Sequence, residues 1–179
     1  MEIPELTPGQ QRLWKTLQFL LRLLALSVPL YLVIFLALDL SAMQLAAAGQ
    51  SAALLQSLGW TVSQDGTLLT AGEFSFLINQ DCTGWKSMLL LFALIFATLG
   101  ISLRKRVLGL LVGIPLVWLG NLARILGTIY VQAGFGTGTA LLVHDWLWQL
   151  GLVALVLAIW LAWLKFAGGF GYGSLLQKR

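Results

Sequence analysis

Along the chain, long apolar runs alternate with short polar breaks, and the period of the pattern changes once. Residues 1–11 are polar and contain Pro4 and Pro8, which predicts a short disordered lead. Helical spacing begins at Arg12, and residues 19–40 are long enough to span a hydrocarbon core, which needs about 20 apolar residues. Pro29 should bend that helix, because proline removes a backbone donor and crowds the preceding turn. The run is too long for a cleaved signal peptide and reads as an uncleaved anchor. Residues 41–60 are rich in alanine and leucine, with Gln44, Gln50, Gln56 and Ser57 interrupting. Leu45, Ala48, Ala52 and Leu55 recur at helical spacing, as do Ala47, Ser51, Leu54 and Leu58, predicting an amphipathic helix at the interface or against the bundle.

The period then drops to two. Residues 61–64 and 67–70 flank Asp65-Gly66, a pair that tolerates the positive φ angles of a tight hairpin turn. Ala71-Gly72 can turn again, and Phe74, Phe76 and Ile78 then alternate with Glu73, Ser75 and Leu77. A small β-meander is predicted, leading directly into Cys82. Three further spans follow: residues 85–103, residues 107–131 broken by Pro115, and residues 144–166. A glycine-rich loop over 132–139 separates the last two, and residues 167–179 form a polar tail. No internal repeat is visible. The pattern predicts an all-α polytopic membrane bundle with four spanning helices, an interfacial amphipathic helix and a small extracytoplasmic β-meander. Residues 12–166 form a single membrane-embedded domain.

Composition agrees. Of 179 residues, 59% are hydrophobic and 10% charged, against roughly 25% charged in soluble domains. The formal charge of +4 does not require a nucleic-acid partner, because the positions of the cations explain it as topology. Arg12, Lys15 and Arg22 lie at the first span, Arg104, Lys105 and Arg106 between the second and third, and Lys165, Lys178 and Arg179 after the fourth. Residues 39–81 and 132–145 contain no Lys or Arg. The positive-inside rule therefore places both termini in the cytoplasm and segments 41–84 and 132–143 outside. The location expected is the cytoplasmic (inner) membrane.

Candidate chemistry falls on that outer side. Cys82 is the only cysteine and His144 the only histidine. Arg124 lies within an apolar span, where insertion costs about 2.5–3.5 kcal/mol. At ~1.5 Å per residue from Val107 it sits roughly 26 Å from the cytoplasmic end, near the outer surface of a core ~30 Å thick. Cys82 precedes the second span and His144 opens the fourth, so the three share one layer. A thiol is a weak nucleophile until ionised, and free cysteine titrates near ~8.5. A position at the start of a helix favours the anion. Thr83 and Gly84 leave room for close backbone approach. His144 can take a thiol proton and return it to a leaving amine. Arg124 holds its charge permanently and suits oxyanion stabilisation or binding of a carboxylate or phosphate. Asn121 lies three residues earlier on the same helix face and can orient the guanidinium. Lys86, one turn from Cys82, can favour the thiolate or snorkel to lipid phosphate, and Asp145 can orient His144 or simply be solvated. One Cys, one His and scattered carboxylates make no metal cluster, and no cofactor is expected.

Cys82-Thr83-Gly84, then Asn121-Leu122-Ala123-Arg124-Ile125, then His144, each near the outer end of a span, resemble the exosortase/archaeosortase family of polytopic membrane cysteine transpeptidases. The resemblance covers roughly residues 76–152. It implies Cys82 as nucleophile, Arg124 as transition-state stabiliser and His144 as base and acid. It also implies partners: exported proteins with a C-terminal signal of short motif, transmembrane helix and basic tail. Cleavage would pass through a Cys82 thioester, and the new C-terminus would be transferred to a membrane lipid. The chain is short for the family. Two other readings remain open on the residues. One is a non-enzymatic small transport or assembly protein using Arg124 as an anion or partner site. The other is a lipid-modifying transferase with no protein substrate.

Overall fold

The computed structural model describes residues 7–146 and 150–168, without the side chains of residues 141 and 144–146. The predicted lead over residues 1–6 and the tail beyond residue 168 lie outside the described residues. Helix α1 (Pro8–Leu26) starts earlier than its apolar pattern does. Thr7 and Gln10 form a capping box, and Pro8 takes the first helical position, where its missing N–H costs nothing. Residues 8–11 therefore belong to the helix and not to the lead. The helix is interrupted at Ser27, whose hydroxyl bonds the Leu23 carbonyl at 2.8 Å. It resumes as α2 (Val28–Phe35), with Pro29 in the first turn. The span thus ends at Phe35 and not at residue 40.

Helix α3 (Ser41–Ser57) follows a turn in which Asp39 accepts the Ser41 N–H at 2.8 Å. That bond, and then the Ser41 hydroxyl, hold the Asp39 carboxyl below its ordinary range. The buried stripe of α3 is Ala47, Ala48, Ser51, Ala52 and Leu55, while Leu45, Leu54 and Leu58 are exposed. Small side chains on that stripe let the sheet and α5 approach.

Strands β1 (Val62–Asp65), β2 (Leu68–Ala71) and β3 (Phe74–Leu77) form an antiparallel meander in that order. The turns sit one residue later than expected. Asp65 pairs with Leu68 and Ala71 with Phe74, so the two-residue loops are 66–67 and 72–73. Each begins with a glycine of positive φ (57° and 60°), the position at which primed turns demand it.

A 3-10 turn (Gln80–Thr83) leads through Gly84 into α4 (Trp85–Ala97). Helix α5 runs Leu103–Trp146 with a single non-helical residue, Gly136 (φ 81°, ψ 170°). Pro115 does not break it: a membrane helix tolerates one missing bond when neighbours and local adjustment compensate. The predicted loop over 132–139 is likewise helical except at Gly136, because a glycine costs a helix only about 1 kcal/mol and keeps its backbone donor. Helix α6 (Leu152–Ala167) closes the described chain.

α4 is the central helix and packs against α1, α2, α5 and α6. Its core holds Leu91, Leu94, Ile95, Val117 and Val156. Glycines on α5 set the spacing: a Cβ on Gly113 would meet Leu91 at 2.6 Å, and Gly109 and Gly120 seat Trp163 and Leu155. Such small-residue contacts are how membrane helices approach without a hydrophobic driving force. A second core joins α3, the sheet and α5 through Ala48, Leu55, Leu69, Ile78, Ile125 and Ile129. Among the described residues two helical stretches are long and apolar enough to cross a membrane, Pro8–Phe35 and Leu103–Ala140. α4 and α6 are apolar but shorter.

The two ends of α4 differ in chemistry. At its C-terminus Arg106 turns inward, donating to the carbonyls of Phe96 (3.2 Å) and Thr98 (2.7 Å). Lys105 donates to Ala167 O at 2.9 Å nearby. At its N-terminus lie the 3-10 turn and the sheet.

Candidate functional site

The Cys82 turn is built locally. The Asn79 side chain accepts the Cys82 N–H at 3.1 Å, and the Asn79 carbonyl accepts it at 3.0 Å. The Thr83 hydroxyl, fully buried, donates to Gln80 O at 2.8 Å. An asparagine side chain bonding backbone two or three residues on is a common turn device, and it is the signal in the sequence that assigns Asn79 a role. Gly84 then takes φ 72° and caps α4. Cys82 therefore precedes the helix N-cap by two residues, outside the first turn where the macrodipole is strongest.

Beside this turn lies Arg124. It is only 6% exposed, and its Nε and one terminal nitrogen donate to Asn121 Oδ1 at 3.3 and 3.1 Å. The guanidinium and the Cys82 side chain face one common cavity. Asn121, fully buried, uses its other end to donate to the Cys82 carbonyl at 2.6 Å. A single amide thus ties the cysteine turn to the arginine. Gly84 makes this possible, since a Cβ there would lie 3.1 Å from Asn121 Cγ. Thr128 donates to Arg124 O at 3.0 Å, a turn further along α5.

Cys82 and Arg124 open into one cavity of about 250 Å³. Its walls are β3 with Ile78 on one side and Ile125, Thr128, Ile129 and Gln132 of α5 on the other. Ala140, beyond the Gly136 break, also lines it. His144 follows Ala140 by one helical turn of backbone, which puts position 144 on the same helix face. The side chains of His144 and Asp145 lie outside the described residues. Lys86 is placed elsewhere: it pairs with Asp81 at 2.7 Å, and both line a separate cavity with Trp85 and Ser87. Among the described residues no cluster of His, Cys, Asp and Glu could hold a metal ion.

A mostly helical, strongly apolar bundle with two helical stretches, among the described residues, long enough to cross a membrane is suited to a membrane location. The family follows from the whole chain. Residues 6–164 match the family model for transmembrane exosortases, and the chain belongs to that family. Membership supports a membrane cysteine transpeptidase, and substrates with C-terminal sorting signals, at the level of the family. No curated protein and no solved structure matches the chain.

Proposed function

We propose that the protein cleaves a C-terminal sorting signal from exported proteins at Cys82 and hands the new C-terminus to a membrane acceptor. The Cys82 sulfur, as thiolate, attacks the scissile carbonyl. Its proton passes to His144, which the backbone carries one turn beyond the cavity wall at Ala140. Arg124 faces the developing oxyanion, where a fixed, desolvated donor is worth far more than in water. His144 returns the proton to the leaving amine, and a thioester to Cys82 remains. A lipid-linked nucleophile or water then attacks that carbonyl and releases the thiolate. Asn121, Thr83 and Gly84 hold the geometry without touching the reacting atoms.

The topology is part of the proposal. Arg104, Lys105, Arg106 and Lys165 cluster at the end of the bundle remote from Cys82, across α4, whose thirteen residues span about 20 Å. The positive-inside rule makes that end cytoplasmic. The four apolar helical stretches then cross the membrane, and α3, the sheet and Cys82 face outward.

The observation that carries the reading is the buried Arg124, tied to the Cys82 turn through Asn121 and opening with Cys82 into one cavity. A merely snorkelling or anion-transporting arginine has no need of a thiol partner. The test is processing of exported proteins, read as C-terminal mass in a strain carrying each variant. Cys82→Ala abolishes it, and Arg124→Lys does too, because a point charge does not reproduce a planar fork. Full processing by Cys82→Ala would end the acyl-transfer reading. A harmless Cys82→Ser beside a damaging Arg124→Ala would point to a non-enzymatic anion or partner site.

A further inference from the structure

The sheet has two edges, and they are treated differently. In β1 the edge faces α3, and the outward Val62 carbonyl accepts from the Gln56 side chain at 3.1 Å. At the other edge, β3 pairs only with β2 among the described residues. The alternation of an antiparallel ladder identifies its free groups. The hairpin closes on Ala71 and Phe74, and the Ile78 N–H reaches Thr67 O at 2.9 Å. Phe74, Phe76 and Ile78 therefore spend their backbone bonds on β2, and Ser75 and Leu77 point theirs away. Among the described residues nothing blunts this edge: Phe74-Ser75-Phe76-Leu77 contains no charge, no proline and no bulge, the usual devices against strand addition.

That unprotected edge runs along the cavity that holds Cys82. Residues 75–78 all line it, and the facing wall is the α5 stripe from Arg124 to Gln132. Four strand residues cover about 13 Å, and the α5 stripe about 12 Å. The slot is thus as long as three or four residues of extended chain, and it ends on the thiol and the guanidinium.

We propose that the free edge of β3 is the docking strand for the polypeptide to be cleaved. The segment just before the scissile bond adds as a fourth strand, exchanging backbone hydrogen bonds with Ser75 and Leu77. This rests on the acyl-transfer reading and supplies its substrate geometry. Main-chain bonds give affinity with little regard to sequence, and alternate side chains of the added strand meet the α5 wall, where selectivity arises. Strand addition also presents an extended peptide, the form in which a scissile carbonyl is open to attack.

Two measurements test it. Ser75→Pro removes one outward donor and leaves the β2 ladder intact, since proline is tolerated where its position faces away from a partner strand. It lowers processing about tenfold, mainly through KM, while alkylation of Cys82 by a small impermeant maleimide keeps the wild-type rate. Gln64→Pro, the matching change on the covered β1 edge, processes normally. Equal processing by Ser75→Pro and wild type overturns the proposal. The second measurement avoids proline: a benzoyl-phenylalanine photocrosslinker at Leu77, in the full chain carrying Cys82→Ala, with the crosslinked residue mapped by mass. Crosslinks fall in the segment preceding the C-terminal hydrophobic helix of an exported protein, and the same probe at Gln64 yields none. Crosslinks confined to the hydrophobic helix, or equal at the two edges, refute strand addition. Because this arm reads binding without chemistry, it separates failure of docking from failure of the thioester mechanism.

Discussion

Asn121 is the residue on which the site's geometry depends most, and its removal has a calculable cost. Asn121→Ala deletes the acceptor for the Arg124 guanidinium, a charge-assisted bond worth about 1.5–3 kcal/mol. It also strips the donor from the Cys82 carbonyl, whose burial without a partner costs about 1–3 kcal/mol. The two share one side chain and do not simply add, so the expected loss of stability is about 3 kcal/mol. The functional loss exceeds that of a mere destabilised fold. On the proposed mechanism, Arg124 without its orienting amide no longer points reliably at the oxyanion, and a displacement of about 1 Å costs on the order of 100-fold in rate. The fall belongs in kcat, with KM little changed, since Asn121 does not line the cavity. Asn121→Asp separates the two limbs: it still accepts from Arg124 but sets a carboxylate against the Cys82 carbonyl. The assay is processing of a reconstituted substrate, alongside the alkylation rate of Cys82 at neutral pH and the thermal midpoint in detergent. If Asn121→Ala matches wild type within twofold in all three, the amide bridge is not what holds the site together.

Three further changes probe the frame. Gly84→Ala forces an alanine into φ 72° and brings its Cβ against Asn121. The backbone term alone is about 1–2 kcal/mol, and processing should fall further than the melting temperature suggests because Asn121 is the group displaced. Arg106→Lys keeps the charge that sets orientation but loses the fork that caps α4. A loss of about 2 kcal/mol of stability with unchanged reporter topology is expected, whereas an inverted topology, with the charge kept, would show that charge alone does not set the orientation. Gly113→Leu drives a side chain into Leu91 and Ile159 and should separate α5 from α4. Crosslinking of a cysteine pair introduced one on each of these helices, efficient with Gly113 and lost with Gly113→Leu, reads that separation directly.

Much of this molecule is written locally. The apolar runs, the clustering of Lys and Arg at one end, and the change from helical to strand period arise from neighbours a few residues apart. They predicted α3, the meander and the bend near Pro29. The i,i+3 spacing of Asn121 and Arg124 likewise puts them on one helix face before any tertiary contact forms. Local rules misjudged the places where a single residue had to outweigh its surroundings. Pro115 and the glycines around Gly136 are breakers by propensity, yet α5 continues through all of them except Gly136, because Pro115 removes a single backbone bond and glycine removes none. Pro8 looked like part of a loose lead, although Thr7 and Gln10 were positioned to cap a helix there. Other features depend on which distant surfaces meet. Asn121 reaches the Cys82 carbonyl only because α5 packs directly on the 3-10 turn and Gly84 leaves space. Lys86 has Asp81 within reach, a choice that spacing from Cys82 did not reveal. Arg106, a topology marker in the sequence, becomes the cap of α4 only when α5 folds back on it. Periodicity determines which face of an element is buried. Only the three-dimensional packing decides what that face is buried against, and so what chemistry the cavity beside Cys82 contains.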